Sequence, residues 1–278
     1  MKFTKMHGLG NDYIYINAIT ETVDNPEQLA VQMSRRHYGI GADGLILIKQ
    51  SDIADFKMEM YNADGSSAQM CGNGIRCVAK YVYDKKLTEK TDIRIETKAG
   101  VKQLFLEVHD DVVKMVTVIM GQPQLRSSRI PVISKKEIVK DEELEIDGEK
   151  YRITCVSMGN PHAVVFVEDI RDVNLEEIGR KIENHPMFPE KTNVEFVEVI
   201  TNNIIRMRVW ERGTGSTLAC GTGACASVVA SVMNGFTERR VDVILDGGIL
   251  TVDWRESSNI ISMRGPAEMV FEGNYMET

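Results

Sequence analysis

The chain has no run of about 18 apolar residues, the length a helix needs to cross a bilayer, although 43% of its 278 residues are apolar. A membrane-spanning helix is therefore not expected. The opening Met-Lys-Phe-Thr-Lys-Met-His also lacks the apolar stretch of a signal peptide, which points to a cytoplasmic location. Positive charge is in short supply: 33 basic against 41 acidic residues give a formal net charge of −8. A nucleic-acid partner, which needs a basic face for the phosphates, is thereby disfavoured. The five cysteines (Cys71, Cys77, Cys155, Cys220 and Cys225) contain no Cys-x-x-Cys pair. An odd number of thiols in a reducing compartment argues against a disulfide framework. Gaps of six and five residues within the two cysteine pairs are not zinc-knuckle spacings, so no metal is expected.

What is present is a repeat. Shifted by 149 positions, the sequence sets Gly10-Asn11 on Gly159-Asn160, Met58 on Met207, Tyr61 on Trp210 and Cys71-Gly72 on Cys220-Gly221. One register holds over more than sixty positions without a gap. Two copies of one fold, related by a pseudo-two-fold axis, follow from it.

Each copy carries the same order of signals. A short strand (Tyr13 to Asn17, or Ala163 to Val167) leaves a Gly-Asn turn. An amphipathic helix follows, about Pro26 to Arg36 or Leu175 to Glu183, the first with proline near its start. Strands Leu45 to Ile48 and Val194 to Val199 precede alternating strands Phe56 to Tyr61 and Ile205 to Trp210. The cysteine turns then open helices, Cys77 to Tyr83 and Cys225 to Met233, apolar on most faces and so central to their domains. Three-strand meanders close each copy: Ile93 to Thr97, Gln103 to Val108 and Val112 to Ile119, then Val241 to Leu245, Leu250 to Trp254 and Ile260 to Arg264.

The predicted fold class is thus α/β (α+β): two pseudosymmetric domains from an internal duplication, each a mostly antiparallel sheet wrapped around a central helix. The expected domains are 1–121 and 122–264. The charge-rich stretch 122–150 connects them, and Pro266 to Phe271 forms one more strand.

Two motifs bear on chemistry. Gly39-Ile-Gly-Ala-Asp-Gly44 spells the dinucleotide fingerprint, but a helix precedes it and a strand follows, the reverse of what that fingerprint requires. A glycine-rich turn is the better reading. The paired cysteine turns, Met70-Cys71-Gly72-Asn73-Gly74 and Ala219-Cys220-Gly221-Thr222-Gly223, say more. Glycines let backbone N–H groups converge on an anion at a helix start. The same field can draw a thiol pKa from about 8.5 toward neutrality, a shift of roughly 2 kcal/mol. Cys77, Cys155 and Cys225 are expected to be plain core thiols.

Asn11 and Asn160 sit in the Gly-Asn turns, Asn62 and Glu211 end the alternating strands, and Asn193 precedes strand Val194 to Val199. With Arg212 as a bidentate partner for a carboxylate, they suggest a pocket for a small zwitterion. His162 is placed to orient or tune a neighbour, with a plain core histidine an equal reading.

At these residues the chain resembles the diaminopimelate epimerases over essentially its whole length. The matching stretches are Met6 to Tyr13, Tyr61 to Ser66, Cys71 to Cys77, Gly159 to His162, Thr192 to Val197 and Trp210 to Ala224. The resemblance implies a cofactor-independent epimerase that interconverts LL- and meso-2,6-diaminopimelate on the way to lysine and peptidoglycan. Cys71 and Cys220 would be its acid/base pair. The backbones of Gly72, Asn73, Gly221 and Thr222 would hold the reacting carboxylate, while Asn11, Asn62, Asn160, Asn193, Glu211 and Arg212 recognise the substrate. A homodimer is implied, as is return of the C-terminal strand, about 265–278, to the first domain. Gly44 departs from relatives that carry glutamine there. The alternatives are a proline racemase-like enzyme on the same fold and a cysteine redox or metal-binding module.

Overall fold

A computed structural model describes residues 1–276 as a mixed α/β protein built mainly of strands. Positions 277 and 278, which the sequence assigns to the returning strand, lie outside the described residues. The chain divides into two compact units, Met1–Ile119 together with the stretch from Arg264 onward, and Met120–Met263.

The first unit opens with a hairpin of β1 (Lys2–Gly8) and β2 (Asn11–Asn17). Its two-residue turn puts Leu9 at φ 57° and Gly10 at φ 83°, the left-handed pair that matches strand twist. α1 (Pro26–Ser34) then crosses to β3 (Gly44–Lys49), which lies parallel to β2. β4 (Phe56–Asn62) returns antiparallel to β3, and a short β5 (Ser67–Ala68) folds back on it. Next come α2 (Gly72–Asp84) and the meander of β6 (Asp92–Thr97), β7 (Gly100–His109) and β8 (Val112–Gly121).

The second unit repeats the plan. A hairpin of β9 (Glu142–Ile146) and β10 (Glu149–Ser157) leads to β11 (Pro161–Val167) and α3 (Leu175–Glu183). β12 (Asn193–Thr201) lies parallel to β11, and β13 (Ile204–Glu211) antiparallel to β12. β14 (Gly215–Thr217), α4 (Gly221–Asn234), β15 (Arg240–Leu245), β16 (Gly248–Arg255) and β17 (Ile260–Gly265) complete it. Last, β18 (Glu268–Asn274) pairs antiparallel with β1. Pairing is antiparallel wherever strands meet through a turn. It is parallel across the helices, as β2 to β3, β4 to β6, β11 to β12 and β13 to β15, because a helical crossover brings the chain back in the same direction.

The central helices are buried along most of their length, from Gly72 to Val82 in α2 and from Gly223 to Ser231 in α4. Burial extends even to cations. Arg76 is fully buried, its guanidinium donating to Gly72 O, Asn73 Oδ1 and Pro266 O, and Lys80 donates to Val113 O at 2.7 Å. Such partners keep a desolvated charge tolerable. α4 stops at Gly235, whose φ of 77° closes a left-handed cap on Ser231 O and Val232 O.

Several boundaries differ from the sequence-based expectation. β1 and β10 were not expected, because β1 reads Lys-Phe-Thr-Lys-Met-His and hides a buried lysine: Lys5, 7% exposed, is held by Asp12 and Gly41 O. The stretch 122–150 is more than a connection. It carries β9, the first residues of β10 and the core side chains Ile130, Val139, Leu144 and Ile146. α1 ends at Ser34 rather than Arg36, and both central helices begin at the glycine after the cysteine.

Candidate active site

Each cysteine turn is built the same way. Cys71 has extended backbone, φ −123° and ψ 123°, and caps α2, with its sulfur accepting Gly74 N–H at 3.3 Å. Cys220, at φ −118° and ψ 112°, caps α4 and accepts Gly223 N–H at 3.4 Å. A thiol sulfur thus stands in the N-cap place where serine or aspartate oxygen is usual. The second glycine of each turn faces a close neighbour. A Cβ on Gly74 would come within 2.8 Å of Ile46 Cδ1, and one on Gly223 within 2.7 Å of Glu195 Oε1.

In the first unit Asn11 joins Cys71 directly, its Oδ1 accepting from Sγ at 3.1 Å while its Nδ2 donates to Asp43 at 2.8 Å. Asp43 was missed in sequence, hidden among the glycines of the 39–44 turn. Asn73 is 2% exposed with its carbonyl on Arg76 Nη2. Asn62 ends β4, where its Nδ2 donates to Ser66 Oγ at 2.9 Å. At Gly44 a Cβ would stand 2.1 Å from Tyr61 O and 2.8 Å from the Tyr13 ring. A glutamine there demands a backbone shift.

In the second unit the turn gathers Asn160, Thr222, Glu211 and His162 around Cys220. Asn160 Nδ2 donates to Thr222 Oγ1 at 3.3 Å, and Thr222 Oγ1 lies 3.5 Å from the sulfur. His162 is fully buried, with Nδ1 2.7 Å from Glu195 Oε1 and Nε2 3.1 Å from Asn160 Oδ1. Burial raises the Glu211 carboxyl above its ordinary pKa, although Thr217 Oγ1 donates to it at 2.5 Å. Burial also pushes the Cys220 thiol well above its usual range, and the Glu211 and Glu195 carboxylates push the same way. The expected pull toward neutrality is therefore reversed in this half. At 6% exposure, desolvation and two carboxylates outweigh the Gly223 N–H and the Thr222 hydroxyl. Cys77 and Cys155 are raised by burial as well, Cys77 to about 11, as core thiols are.

Asn193 and Arg212 form a second cluster. The Asn193 side chain is buried and committed to backbone, donating to Pro161 O at 2.7 Å and accepting Arg212 N–H at 3.0 Å. It shapes the Arg212 turn more than it offers atoms to a ligand. Glu183 grips the next amide: its Oε1 accepts Gly213 N–H at 3.0 Å and its Oε2 accepts Trp210 Nε1–H at 2.7 Å. The guanidinium of Arg212 is exposed and gives one hydrogen bond to Glu190 O. Glu183 and Glu195 were passed over in sequence. The signal for Glu195 was a charge inside the apolar run Val194-Glu195-Phe196-Val197.

This fold recurs among epimerases, racemases and isomerases. A Bacillus anthracis phenazine biosynthesis protein of the PhzF family superposes with a TM-score of 0.73 at 18% identity, covering 100% of this chain and 99% of that one. A hydroxyproline epimerase from Agrobacterium vitis gives 0.69 at 15% identity, covering 98% and 90%. Sequence narrows the class to one family. Residues 3–126 and 154–270 match the family described as diaminopimelate epimerase. The diaminopimelate epimerase of Acetivibrio thermocellus is 58% identical over 273 residues, 98% of each chain. That of Methanococcus maripaludis strain C6 is 57% identical over 98% of this chain and 99% of its own. The chain belongs to the diaminopimelate epimerase family.

Proposed function

We propose that the protein epimerises LL- and meso-2,6-diaminopimelate without a cofactor, Cys71 and Cys220 acting on opposite faces of one α-carbon, as a step toward lysine and peptidoglycan. The observation that carries this reading is the doubled cap: two cysteines, one per copy, each placed on a glycine N–H at the first turn of a buried helix. Inverting a stereocentre requires removing a proton from one face and returning one to the other. Duplication supplies two groups of the same kind for that task.

The carbanion has no cofactor ring to take its electrons. Its charge is held on the carboxylate by backbone N–H groups at the starts of α2 and α4, around Gly72, Asn73, Gly221 and Thr222. Cys220, kept protonated by its surroundings, serves as the acid, and Cys71 as the base, for one direction of the reaction. Arg212, with its turn held by Asn193, takes the distal carboxylate. Asn11, Asn62, Asn160 and Glu211 supply the polar contacts of the substrate pocket. A proline racemase-like substrate would leave Arg212 without a purpose.

We also propose a homodimer in the cytoplasm. β18 leaves Val270 55% and Phe271 48% exposed, apolar surface that a second copy would cover. A monomer in sedimentation at micromolar concentration would count against it.

The deciding experiment is NMR of LL-diaminopimelate with the enzyme in heavy water. Conversion to the meso form should carry deuterium onto the inverted α-carbon. Conversion without deuterium incorporation would exclude proton transfer with solvent-exchanging thiols.

A further inference from the structure

Glu195 is a fully buried carboxylate in the middle of β12, flanked by the buried Val194 and Phe196. One of its oxygens, Oε2, has no hydrogen-bond partner. A desolvated carboxylate with an orphan oxygen is costly to fold around, which calls for a reason beyond packing. Its counterpart 149 positions earlier is Ile46, which fills the matching place beneath the first turn of the other central helix, against Gly74. Shape alone therefore does not demand a carboxylate.

From Glu195 an unbroken file of side chains leads to the Cys220 sulfur. Glu195 Oε1 is 2.7 Å from His162 Nδ1, His162 Nε2 is 3.1 Å from Asn160 Oδ1, and Asn160 Nδ2 is 3.3 Å from Thr222 Oγ1. Thr222 Oγ1 is 3.5 Å from Sγ. We propose that Glu195 is a positioning residue for Cys220: through His162, Asn160 and Thr222 it sets the direction of this chain so that the threonine hydrogen points at the sulfur. The inference rests on the reading of Cys220 as one of the two reacting thiols.

The direction follows from proton accounting. Glu195 and His162 are both sealed from water. A buried pair with net charge −1 is disfavoured against a neutral one. One proton between Oε1 and Nδ1 keeps the pair neutral on whichever atom it rests, provided that Nε2 carries a hydrogen of its own. Nε2–H then donates to Asn160 Oδ1, the Asn160 NH₂ donates to Thr222 Oγ1, and the threonine hydrogen is left for Sγ. With the opposite arrangement, a carboxylate anion facing a neutral imidazole protonated on Nδ1, Nε2 becomes an acceptor and every bond of the file reverses. The sulfur would then face an oxygen lone pair.

The consequence concerns the moment after Cys220 gives its proton to the substrate carbon. The sulfur is left negative, close to the Glu211 carboxylate. A directed hydroxyl and the Gly223 N–H are the donors that receive that charge. When the carbon returns its proton, the thiol reforms and the file is unchanged.

The test has two arms. In the whole protein labelled with ¹⁵N-histidine, His162 should show a hydrogen bonded to Nε2, and an unprotonated Nε2 would overturn the proposal. Kinetically, Glu195→Leu and Thr222→Val should each lower kcat at least tenfold in the direction that uses Cys220 as acid, with KM changed less than threefold. Glu195→Gln, whose amide N–H can donate to Nδ1 and keep hydrogen on Nε2, should recover most of the loss. A Gln variant as slow as Leu, or a Thr222→Val enzyme of undiminished kcat, would sink the idea. The NMR arm needs no substitution, so a Leu variant that fails to fold leaves the question answerable. An active Cys220→Ala enzyme would instead overturn the two-thiol reading, while the His162 signals would still judge the chain itself.

Discussion

The two cysteine turns share a backbone and differ in what lies beneath it. Under α2 the neighbours of Gly74 are the ends of Ile46 and Met58, and Cys71 is half-buried with its hydrogen on Asn11. Under α4 the neighbour of Gly223 is Glu195, and Cys220 is buried among Thr222, Glu211 and the His162–Glu195 pair. Duplication preserved the cap, which holds a sulfur at a helix start. Divergence changed the groups that set its charge. A repeated scaffold thereby carries two unequal thiols.

The comparison breaks most visibly if either thiol is removed. Cys71→Ala and Cys220→Ala should each cut epimerisation by roughly a thousandfold or more, in the range of losing a positioned acid or base. Near-normal turnover by one of them would mean that the halves do not share the reaction. The glycines come next. Gly223→Ala must displace a carboxylate held by His162, whereas Gly74→Ala meets the tip of a flexible isoleucine. Urea unfolding should show a loss of about 2–3 kcal/mol for the first and about 1 kcal/mol for the second. Equal losses would deny the difference in packing.

Thiol chemistry sharpens the contrast further. The thiolate is the nucleophile, and Cys220 ionises only well above the ordinary thiol range, so little of it reacts near neutrality and its rate climbs with alkali. At pH 8 without substrate, iodoacetamide should label the half-buried Cys71 about tenfold faster than Cys220, as peptide mapping would read; the reverse order would refute the assignment of Cys220 as resting acid. The smallest effects concern the helices that brace the loops. Glu183→Gln keeps one of two acceptors and should cost about 1 kcal/mol. Its counterpart Ser34, whose buried hydroxyl has no partner, should tolerate alanine within about 0.5 kcal/mol. Thermal or urea denaturation separates the two.

Much of this was legible from the residues. Strict alternation in Phe56 to Tyr61 and Ile205 to Trp210 marked β4 and β13, and the span of α3 matched residue for residue. The cysteine turns announced themselves because a Gly-x-Gly after a thiol is rare enough to be noticed twice. β1 was not legible, since Lys5 reads as surface in sequence and is buried only because Asp12 across the hairpin and Gly41 O in the turn before β3 hold it. Asn193 read as a ligand residue, yet its amide is occupied by Pro161 O and Arg212 N–H, partners 32 and 19 positions away.

By itself the sequence determined the duplication, the order of the helices and of the alternating strands, the two thiols at helix starts and the family. These are carried by local spacing and by repetition, both visible along one dimension. Tertiary structure alone decided which charges are buried, what the Asn193 and Glu183 side chains grip, and why Cys220 resists ionisation. Desolvation depends on what surrounds a group on every side. For Cys220 that surrounding comes from β11, β12, the end of β13 and the first turn of α4, contributed by residues from 160 to 223 that meet only in the folded chain.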